Sequence, residues 1–304
     1  KVNIGHSPKN ISKIDLLVFS SAVPIENPEI LTAKQKSIPV IRRAEMLGDL
    51  ISLKETSIAV GGTHGKTTTS SIIGSMLASA NLDPTLIVGG LVKSINSNTK
   101  MGSGKIIIVE ADEYDRSFLA LKPTIAIITN IELEHTDCYK NTEELKDAFI
   151  QFAKSIPFYG QLFICIDSPI LDEISKHIER PIVTYGLSDN AQYQAKNLSY
   201  NKSKSTYDAF YNNKELGRVS INLPGEHNIL NSLVSLALCN EMKVPFKKIK
   251  KGLTNYKGVR RRFEIKGTFN DIMVVDDYAH HPTEVTATLI AAKKGWQKRI
   301  VVAF

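Results

Sequence analysis

The stretch that most limits the possible folds is SIAVGGTHGKTTTSSIIGSMLASA, residues 57–80. An apolar run leads into a glycine-rich turn, and Gly65-Lys66-Thr67 then opens an apolar segment of helical length. Glycines let backbone amides approach phosphate oxygens, and the N-terminus of a helix favours an anion. The common phosphate loop has a glycine five positions before Gly65, where this chain has Val60. A plain glycine turn is the alternative, but strand, loop and helix together predict a short phosphate-binding loop.

The side chains of this loop offer a positive charge and hydroxyl groups. Lys66 is expected to neutralise the β- and γ-phosphates of a nucleotide, and the hydroxyl of Thr67 or Thr68 to bind Mg²⁺. The predicted nucleotide-binding residues of the loop are Gly62, Thr63, His64, Gly65, Lys66, Thr67 and Thr68.

The pattern around the loop predicts an α/β fold. From about residue 55 to 190, β-branched runs such as KIIIVEAD and TIAIITN alternate with helical segments such as TEELKDAFIQFAKSI. Near-continuous apolar strands of this kind indicate a parallel sheet that is covered on both faces. Residues 192–223 instead alternate polar and apolar positions between Asn, Lys and Ser turns, which predicts an antiparallel meander. The helical segment HNILNSLVSLALCNEM follows it.

Three units are predicted, at residues 1–54, 55–258 and 259–304. The first holds two short strands, KIDLLVFSSAV and SIPVI, and the helix RRAEMLGDLISL. The third opens with a strand pair, FEIKGTFNDIMVVDDY, continues with a helix from Pro282 and ends in a predicted strand, KRIVVAF. Because the chain starts without Met and stops in that strand, we expect a fragment that is incomplete at both ends.

Four acidic residues lie at the end of one predicted strand, in VEADEYDRSF: Glu110, Asp112, Glu113 and Asp115. Ligands bind at the carboxyl ends of strands in open α/β sheets. Carboxylates this close together repel one another unless a cation is present, so at least one of them is predicted to bind Mg²⁺. A solvated acidic turn is the alternative.

One strand further along the chain, ITNIELEH brings Glu134 and His135 to an equivalent strand end. His135 alone could be a core histidine. Beside the two other strand ends, it is predicted to be a metal ligand.

Polar residues in two later segments are candidates for nucleotide contacts. In LPGEHNILN, the side chains of His227, Asn228 and Asn231 open a helix, where an asparagine could pair with adenine or simply cap the helix. In RRRFE and VVDDYAHHPTE, the candidates are Arg262, Asp277, Tyr278, His280 and His281. A surface basic cluster and a structural histidine pair are the alternatives there.

Composition narrows the partners. The net charge of +7 would suit nucleic acid or an anionic small molecule. The basic residues are dispersed, and no basic stripe with aromatic residues is visible, so no nucleic-acid partner is predicted. No apolar run approaches the roughly 18 residues of a membrane span, so no membrane partner is predicted either. The spacing of Cys138, Cys165 and Cys239 does not suit a metal, which favours reduced thiols and a cytoplasmic protein.

The motifs GTHGKTTT, EADEYDRSF, TNIELEH, PGEHNILN, RRRFE and DDYAHHPTEV occur in this order, and together they resemble the Mur ligase family. Upstream, GHSPKN, SSAVPIENPEI and IPVIRRAEML are similar to the end of the family's UDP-binding domain, so the resemblance covers essentially the whole chain. It implies a three-domain architecture with a partial Rossmann-like N-terminal domain, a central ATP-binding domain on a parallel sheet and the start of a Rossmann-like C-terminal domain. The short phosphate loop is the family's own form, although Gly61 stands where its relatives usually have alanine.

The resemblance also implies an activity, with ATP and Mg²⁺ as cofactors and UDP-N-acetylmuramate and L-alanine as substrates. In peptidoglycan precursor synthesis, ATP would phosphorylate the muramate carboxylate, and the amine of L-alanine would attack the acyl phosphate. Two alternatives stay open: the family's ligase for recycled murein tripeptide, and an ATP-binding protein without catalysis. A monomer and a dimer are both compatible with the sequence.

The resemblance further implies a role for each matching residue. Lys66 would hold phosphates, Glu110 one Mg²⁺ and His135 a second, and these three residues would be catalytic together with His280. Adenine would lie beside His227, Asn228 and Asn231, and Arg262 and Asp277 would reach the γ-phosphate and the ribose. Tyr278 would lie with His280 near the amino acid. The residues expected at the UDP moiety are His6, Asn10 and Ser20.

Overall fold

The computed structural model describes residues 2–134 and 136–304. Its N-terminal part contains a small parallel sheet made of β1 (Leu17–Phe19) and β2 (Val40–Arg42). A 3-10 turn (Pro8–Asn10), α1 (Pro28–Gln35) and α2 (Arg43–Ser52) pack beside it. Both predicted strands and the predicted helix of this part are confirmed, whereas α1 was not foreseen.

A ten-stranded sheet forms the centre of the molecule. In chain order its strands are β3 (Thr56–Gly61), β4 (Thr85–Val92), β5 (Ser97–Lys100), β6 (Ile106–Glu110), β7 (Ile125–Ile128), β8 (Gln161–Cys165), β9 (Ile182–Gly186), β10 (Tyr193–Asn201), β11 (Lys204–Tyr211) and β12 (Lys214–Ile221). Across the sheet their order is β12-β11-β10-β9-β8-β7-β3-β6-β4-β5. The strands from β10 to β4 in this order pair in parallel, and β5, β11 and β12 pair antiparallel with their neighbours. The predicted α/β class, parallel sheet and meander are therefore confirmed.

Helices cover both faces of this sheet. The helices of the central part are α3 (Lys66–Ser79), α4 (Thr142–Lys154), α5 (Pro169–Ser175), α6 (Glu226–Glu241) and α7 (Phe246–Thr254), with a 3-10 segment at Tyr114–Ala120. The connections β3-α3-β4 and β7-α4-β8 run in opposite directions across the sheet, so right-handed crossovers put α3 and α4 on opposite faces. On one face α3 packs against α6 and α7, and α4 contacts α5 and the 3-10 segment.

The core lies under the middle of the sheet. Ile58, Ala59 and Val60 of β3 are fully buried, as are Ile108 of β6 and Ile127 of β7. Strands that are buried on both faces need continuous apolar runs, which is why these segments carry no alternation in the sequence. The result is a rigid platform whose strand ends can position polar side chains.

The C-terminal part is a hairpin followed by a helix. β13 (Glu264–Phe269) and β14 (Ile272–Asp276) pair antiparallel through the turn residues Asn270 and Asp271, which both have positive φ. Asn and Asp tolerate that conformation, which suits a two-residue hairpin turn. α8 (Pro282–Trp296) follows, starting at the predicted proline.

The strand predicted at residues 298–304 is wrong. None of the described residues there pairs with a neighbouring strand, and Val301 and Phe304 are 80% and 94% exposed. β-branched residues favour an extended backbone, but a strand also needs a partner for its hydrogen bonds. None of the helices formed by residues 2–134 and 136–304 is both long and apolar enough to cross a membrane.

Candidate active site

The candidate site lies at the carboxyl ends of β3, β6 and β7. β3 is flanked by β6 on one side and β7 on the other, so the chain reverses its direction of progress across the sheet at this point. Such a reversal leaves a crevice outside the strand ends, where ligands of open α/β sheets bind. Val60 pairs with Glu110 on β6 and with Ile127 on β7, which brings three loops together.

Two glycines of the β3–α3 loop have backbone conformations that a side chain would strain. Gly62 has φ +115° and Gly65 has φ +85°. A Cβ on Gly62 would lie 2.8 Å from the carbonyl oxygen of Asn130, and a Cβ on Gly65 would lie 2.6 Å from Oδ1 of Asn231. The loop therefore needs glycine at both positions for conformation and for space.

The N-terminus of α3 is open. Gly65 precedes its first residue, no described side chain caps it, and its first turn contains no acidic residue. The first amides of a helix have no partner within the helix, and together with the helix dipole they attract an anion. The loop can therefore accept phosphate oxygens without first displacing a side chain.

Residues after β7 hold the loop in place. The side chain of Asn130 accepts a hydrogen bond from the backbone N–H of His64 (2.8 Å) and donates one to its carbonyl oxygen (3.1 Å). The hydroxyl of Thr129 donates to the same carbonyl (2.5 Å). We did not foresee Asn130 from the sequence, although its place directly after a buried strand could have indicated it.

Lys66 has a carboxylate partner that the sequence did not identify. Its Nζ lies 2.7 Å from Oε2 of Glu113 and donates to the carbonyl oxygen of Gly62 (2.8 Å). Glu113 is 2% exposed, and its Oε1 has no hydrogen-bond partner among the described residues. Burial raises the pKa of Glu113, and the Lys66 charge opposes that rise. The sequence contains four clustered acidic residues, and only the three-dimensional structure identifies Glu113 as the one that pairs with Lys66.

Glu110 ends β6 beside the first turn of α3. Its Oε1 accepts a hydrogen bond from the backbone N–H of Gly89 (2.7 Å), and it also bonds to the Thr67 side chain. Burial raises the pKa of Glu110, and these hydrogen bonds partly offset the rise. A carboxylate beside a hydroxyl is an oxygen ligand set that Mg²⁺ prefers. The arrangement fits the predicted roles of both residues.

The start of α6 forms the next wall of the cleft. Asn228 and Asn231 are buried, and the Asn228 side chain donates to the carbonyl oxygen of Pro224 (2.7 Å). α6 starts after Gly225, and no described side chain caps it, so the capping role considered for Asn228 is wrong. Both asparagines line one cleft with Gly65 of the loop.

The C-terminal part forms the opposite wall of the cleft. Arg262 and Asp277 line the same cleft. The Arg262 guanidinium lies 3.2 Å from Oε1 of Glu284, while the Asp277 carboxylate accepts backbone N–H groups of Phe263 (2.6 Å) and Ala279 (2.8 Å). Asp277 thus ties together the two segments that carry the predicted contacts.

Comparison with protein families gives three consecutive matches. Residues 1–55 match the Mur ligase family catalytic domain, residues 60–239 the Mur ligase middle domain, and residues 261–304 the Mur ligase glutamate ligase domain. The chain belongs to the Mur ligase family.

Curated Mur ligases match the chain from end to end. It is similar to the UDP-N-acetylmuramate–L-alanine ligase of Geotalea daltonii, with 45% identity over 304 residues, 100% of this chain and 66% of that protein. The enzyme of the same name from Desulfatibacillum aliphaticivorans is 48% identical over 297 residues, 98% of this chain and 65% of that protein. The chain thus spans about two thirds of the length of these relatives.

Solved Mur ligases share the fold. The UDP-N-acetylmuramate–alanine ligase of Thermotoga maritima has a TM-score of 0.84 at 27% identity, covering 97% of this chain and 67% of that one. The UDP-N-acetylmuramate:L-alanyl-γ-D-glutamyl-meso-diaminopimelate ligase of Neisseria meningitidis has a TM-score of 0.75 at 22% identity, covering 84% of each chain. The three-domain architecture implied by the resemblance is therefore that of the matching structures.

The remaining residues expected from the Mur ligase resemblance lie outside the cleft. Tyr278 is 49% exposed, and the His280 side chain is 67% exposed and lies against the Tyr278 ring. On the N-terminal part, His6 and Asn10 both bond to Glu29, at 3.1 and 2.5 Å.

Two further expectations concern Ser20 and His135. The Ser20 hydroxyl accepts the N–H of Ala22 in the turn after β1 (3.4 Å). His135 lies outside the described residues.

Proposed function

We propose that this chain is the ATP-binding part of a ligase that joins L-alanine to the carboxylate of UDP-N-acetylmuramate. The observation that carries the proposal is the open N-terminus of α3, with Lys66 at its first position and Glu110 beside Thr67. The names of the curated relatives, at 44–48% identity, support the choice of substrates.

In this proposal the loop binds the phosphates of ATP. The amides of residues 62–67 and the Lys66 ammonium neutralise phosphate charge, while Asn228 and Asn231, with His227 beside them, bind adenine. Glu110 and Thr67 hold Mg²⁺, and His135 holds a second ion. ATP supplies the phosphoryl group that turns the muramate carboxylate into an acyl phosphate, with ADP as the leaving group. The amine of L-alanine then attacks the acyl carbon, and inorganic phosphate and a proton leave as the amide bond forms.

The buried carboxylate of Glu113 fixes where the Lys66 ammonium lies. A lysine side chain carries considerable rotamer entropy, which a stable partner reduces before ATP binds. The Lys66 Nζ is already within hydrogen-bond distance of the loop carbonyl of Gly62. Pre-positioning of this kind lowers the entropy that must be lost when phosphate binds.

The C-terminal part completes the site by closing over it. Arg262 and Asp277 contact the γ-phosphate and the ribose, so ATP binding depends on the position of this part. Tyr278 and His280 lie near the amino acid, and His6, Asn10 and Ser20 bind the UDP moiety. We place the domain boundaries at residues 54/55 and 258/259, and the reaction in the cytoplasm.

The test is phosphate release from ATP by the full-length protein with UDP-N-acetylmuramate and one of four acceptors: L-alanine, glycine, L-serine or the murein tripeptide. Release that depends on L-alanine is the expected result. Phosphate release with the tripeptide and with no other acceptor would instead identify the protein as a ligase for recycled murein tripeptide. ATP binding without release under any condition would contradict a ligase.

A further inference from the structure

A second cluster of ligand-type side chains lies beside the phosphate loop and is separate from the Glu110–Thr67 pair. It joins His64 of the loop, Glu134 after β7 and His281 just before α8. Their nearest ligand atoms are Nε2, a carboxylate oxygen and Nδ1, and these three atoms all lie within 4.8 Å of one another. Oε1 of Glu134 is 4.0 Å from Nε2 of His64 and 3.7 Å from Nδ1 of His281. Three separate chain segments therefore point one ligand atom each at a common centre.

Neither ring nitrogen is satisfied. Nε2 of His64 and Nδ1 of His281 are both buried, and neither has a hydrogen-bond partner among the described residues. A buried polar atom without a partner costs about 1–3 kcal/mol, so native proteins rarely leave two of them face to face. A ligand bound between these two nitrogens would give both of them the partner that the described side chains do not provide.

A second carboxylate oxygen lies close to both ring nitrogens. Oε2 of Glu132 lies 3.5 Å from Nε2 of His64 and 3.6 Å from Nδ1 of His281, and it accepts a hydrogen bond from the Thr283 hydroxyl (2.6 Å). Ligands about 2.0–2.2 Å from a tetrahedral zinc ion are roughly 3.3–3.6 Å apart. The four nitrogen–oxygen separations, 3.5 to 4.0 Å, are a few tenths of an ångström longer than these values, and the two ring nitrogens lie within 4.8 Å of each other.

The other nitrogen of His64 is held in the way that metal-binding histidines require. Its Nδ1 lies 3.3 Å from Oε1 of Glu284, which is itself 3.2 Å from the Arg262 guanidinium. An imidazole that donates its Nδ1–H to a carboxylate presents a free lone pair at Nε2. Glu284 therefore sets the tautomer that a ligand at Nε2 needs.

We propose that His64, Glu134 and His281, with Glu132 as the fourth ligand, bind a divalent transition-metal cation of the zinc class. Two imidazole nitrogens favour zinc, cobalt or nickel over Mg²⁺, which prefers oxygen ligands in an octahedron. The site thus differs chemically from the proposed Mg²⁺ site at Glu110 and Thr67, where the ligands are oxygen atoms. The bound ion links the phosphate loop and the end of β7 to the start of α8, and so fixes the C-terminal part across the cleft.

The alternative explanation is that His64 is protonated and that the cluster binds no metal ion. Burial lowers the pKa of His64, but Glu284, Glu134 and Glu132 raise it by a larger amount. A protonated His64 would then pair with the glutamates, and no metal would be needed. A direct measurement of metal binding separates the two explanations.

The experiment is a titration of the metal-free chain with Co²⁺, followed by visible absorption and then by displacement with Zn²⁺. We expect one equivalent of Co²⁺ with the intense visible bands of a tetrahedral site, displaced by one equivalent of Zn²⁺ but not by a large excess of Mg²⁺. His281→Gln and Glu134→Gln should each weaken binding at least tenfold. Glu284→Gln should weaken it about tenfold, because removal of a carboxylate behind a histidine ligand typically costs about 10–100-fold.

His280→Gln is the matched control, since it changes the neighbouring histidine, which lies outside the set. It should bind Co²⁺ as the wild type does. Zinc should raise the melting temperature of the wild type and of His280→Gln but not of His281→Gln, and circular dichroism would establish that each variant is folded.

Three results would overturn the proposal. Weak octahedral bands would indicate a surface site of oxygen ligands. An intense near-ultraviolet band would put the ion on a cysteine thiolate. Wild-type affinity in a folded His281→Gln variant would exclude the cluster.

Discussion

The two walls of the cleft are built in different ways. On the central wall, Asn228 and Asn231 are 6% and 7% exposed; Asn228 donates to the carbonyl oxygen of Pro224, and Asn231 donates to the Asn228 side chain. On the opposite wall, Arg262 and Asp277 are partly exposed, and the Arg262 side chain is 32% exposed.

The opposite wall is attached by side-chain pairs, by a backbone hydrogen bond from Lys202 to Gly295 and by the packing of α8 against α6 and β10. Glu284 lies 3.3 Å from His64, Thr283 lies 2.6 Å from Glu132, and Lys93 lies 3.6 Å from Glu264. Isolated polar pairs contribute little each, whereas a buried sheet end is fixed by the whole core. The central wall is therefore formed before ligands arrive, and the opposite wall can be moved by them.

The largest effect is expected from Lys66→Ala, which removes the only ammonium group in the loop. Phosphate release by the full-length protein should fall at least about 100-fold, because a pre-positioned charge at a developing anion is worth this much. The far-ultraviolet circular dichroism should not change. Lys105→Ala, an exposed lysine paired with Glu55 at the surface, is the control and should keep wild-type turnover. Wild-type turnover in Lys66→Ala would contradict the assignment of this loop as the phosphate-binding site.

The rigidity of the central wall can be tested with two adjacent glycines. Gly62→Ala should lower the free energy of unfolding by about 2 kcal/mol, through strain at positive φ and a clash with the residues after β7. Gly61→Ala is the matched control, since its Cβ would meet Phe152 at an ordinary 3.5 Å. Urea unfolding gives both values, and equal stability of the two variants would contradict the loop geometry.

The opposite wall should contribute less to nucleotide affinity. Arg262→Ala is expected to weaken binding of Mg·ATP about tenfold, which corresponds to a charged hydrogen bond of about 1.5 kcal/mol. Calorimetric titration measures this effect, with Arg260→Ala, whose guanidinium bonds to Asn96, as the control. If Arg262→Ala and Lys66→Ala lost the same affinity for Mg·ATP in this titration, the two walls would have to be equally rigid.

The smallest effect concerns the attachment of the C-terminal part at Glu264. The N–H of Arg261 lowers the pKa of this carboxyl most, burial opposes it, and Lys266 and Lys93 lower it further, to about 2. A carboxylate with a lowered pKa stabilises the fold above its unfolded pKa, near 4.5, and this stabilisation is lost as the pH falls towards 2.

Glu264→Gln should therefore be less stable than the wild type at pH 6, by less than about 1 kcal/mol because solvent screens the pair. The difference should shrink between pH 5 and pH 3 in urea unfolding experiments. A constant difference over that range would show that this carboxylate is not linked to folding.

Sequence patterns predicted the central wall well because its features are local. The run before Gly61, the glycines of the loop and the apolar segment after Lys66 each constrain neighbouring residues, so strand, loop and helix could be placed together. The alternation of polar and apolar residues in β10 to β12 also predicted these strands, because side chains point to alternate faces of a strand.

Contacts between distant segments could not be predicted. The pairing of Lys66 with Glu113 spans 47 residues, and neighbouring acids at Asp112 and Asp115 were equally eligible. α7 was not predicted because its sequence is rich in lysine, and Ile249, Gly252 and Leu253 are its buried residues. The cluster of His64, Glu134 and His281 depends on how the C-terminal part packs, which no local pattern encodes.

The most direct test of the account is hydrogen–deuterium exchange of the chain with and without Mg·ATP. If the phosphates bind at the open N-terminus of α3, amides of residues 61–68 should become strongly protected, and those of residues 259–284 should be protected to a smaller extent. Unchanged exchange at residues 61–68, with protection elsewhere or none at all, would contradict the assignment of this cleft as the ATP site.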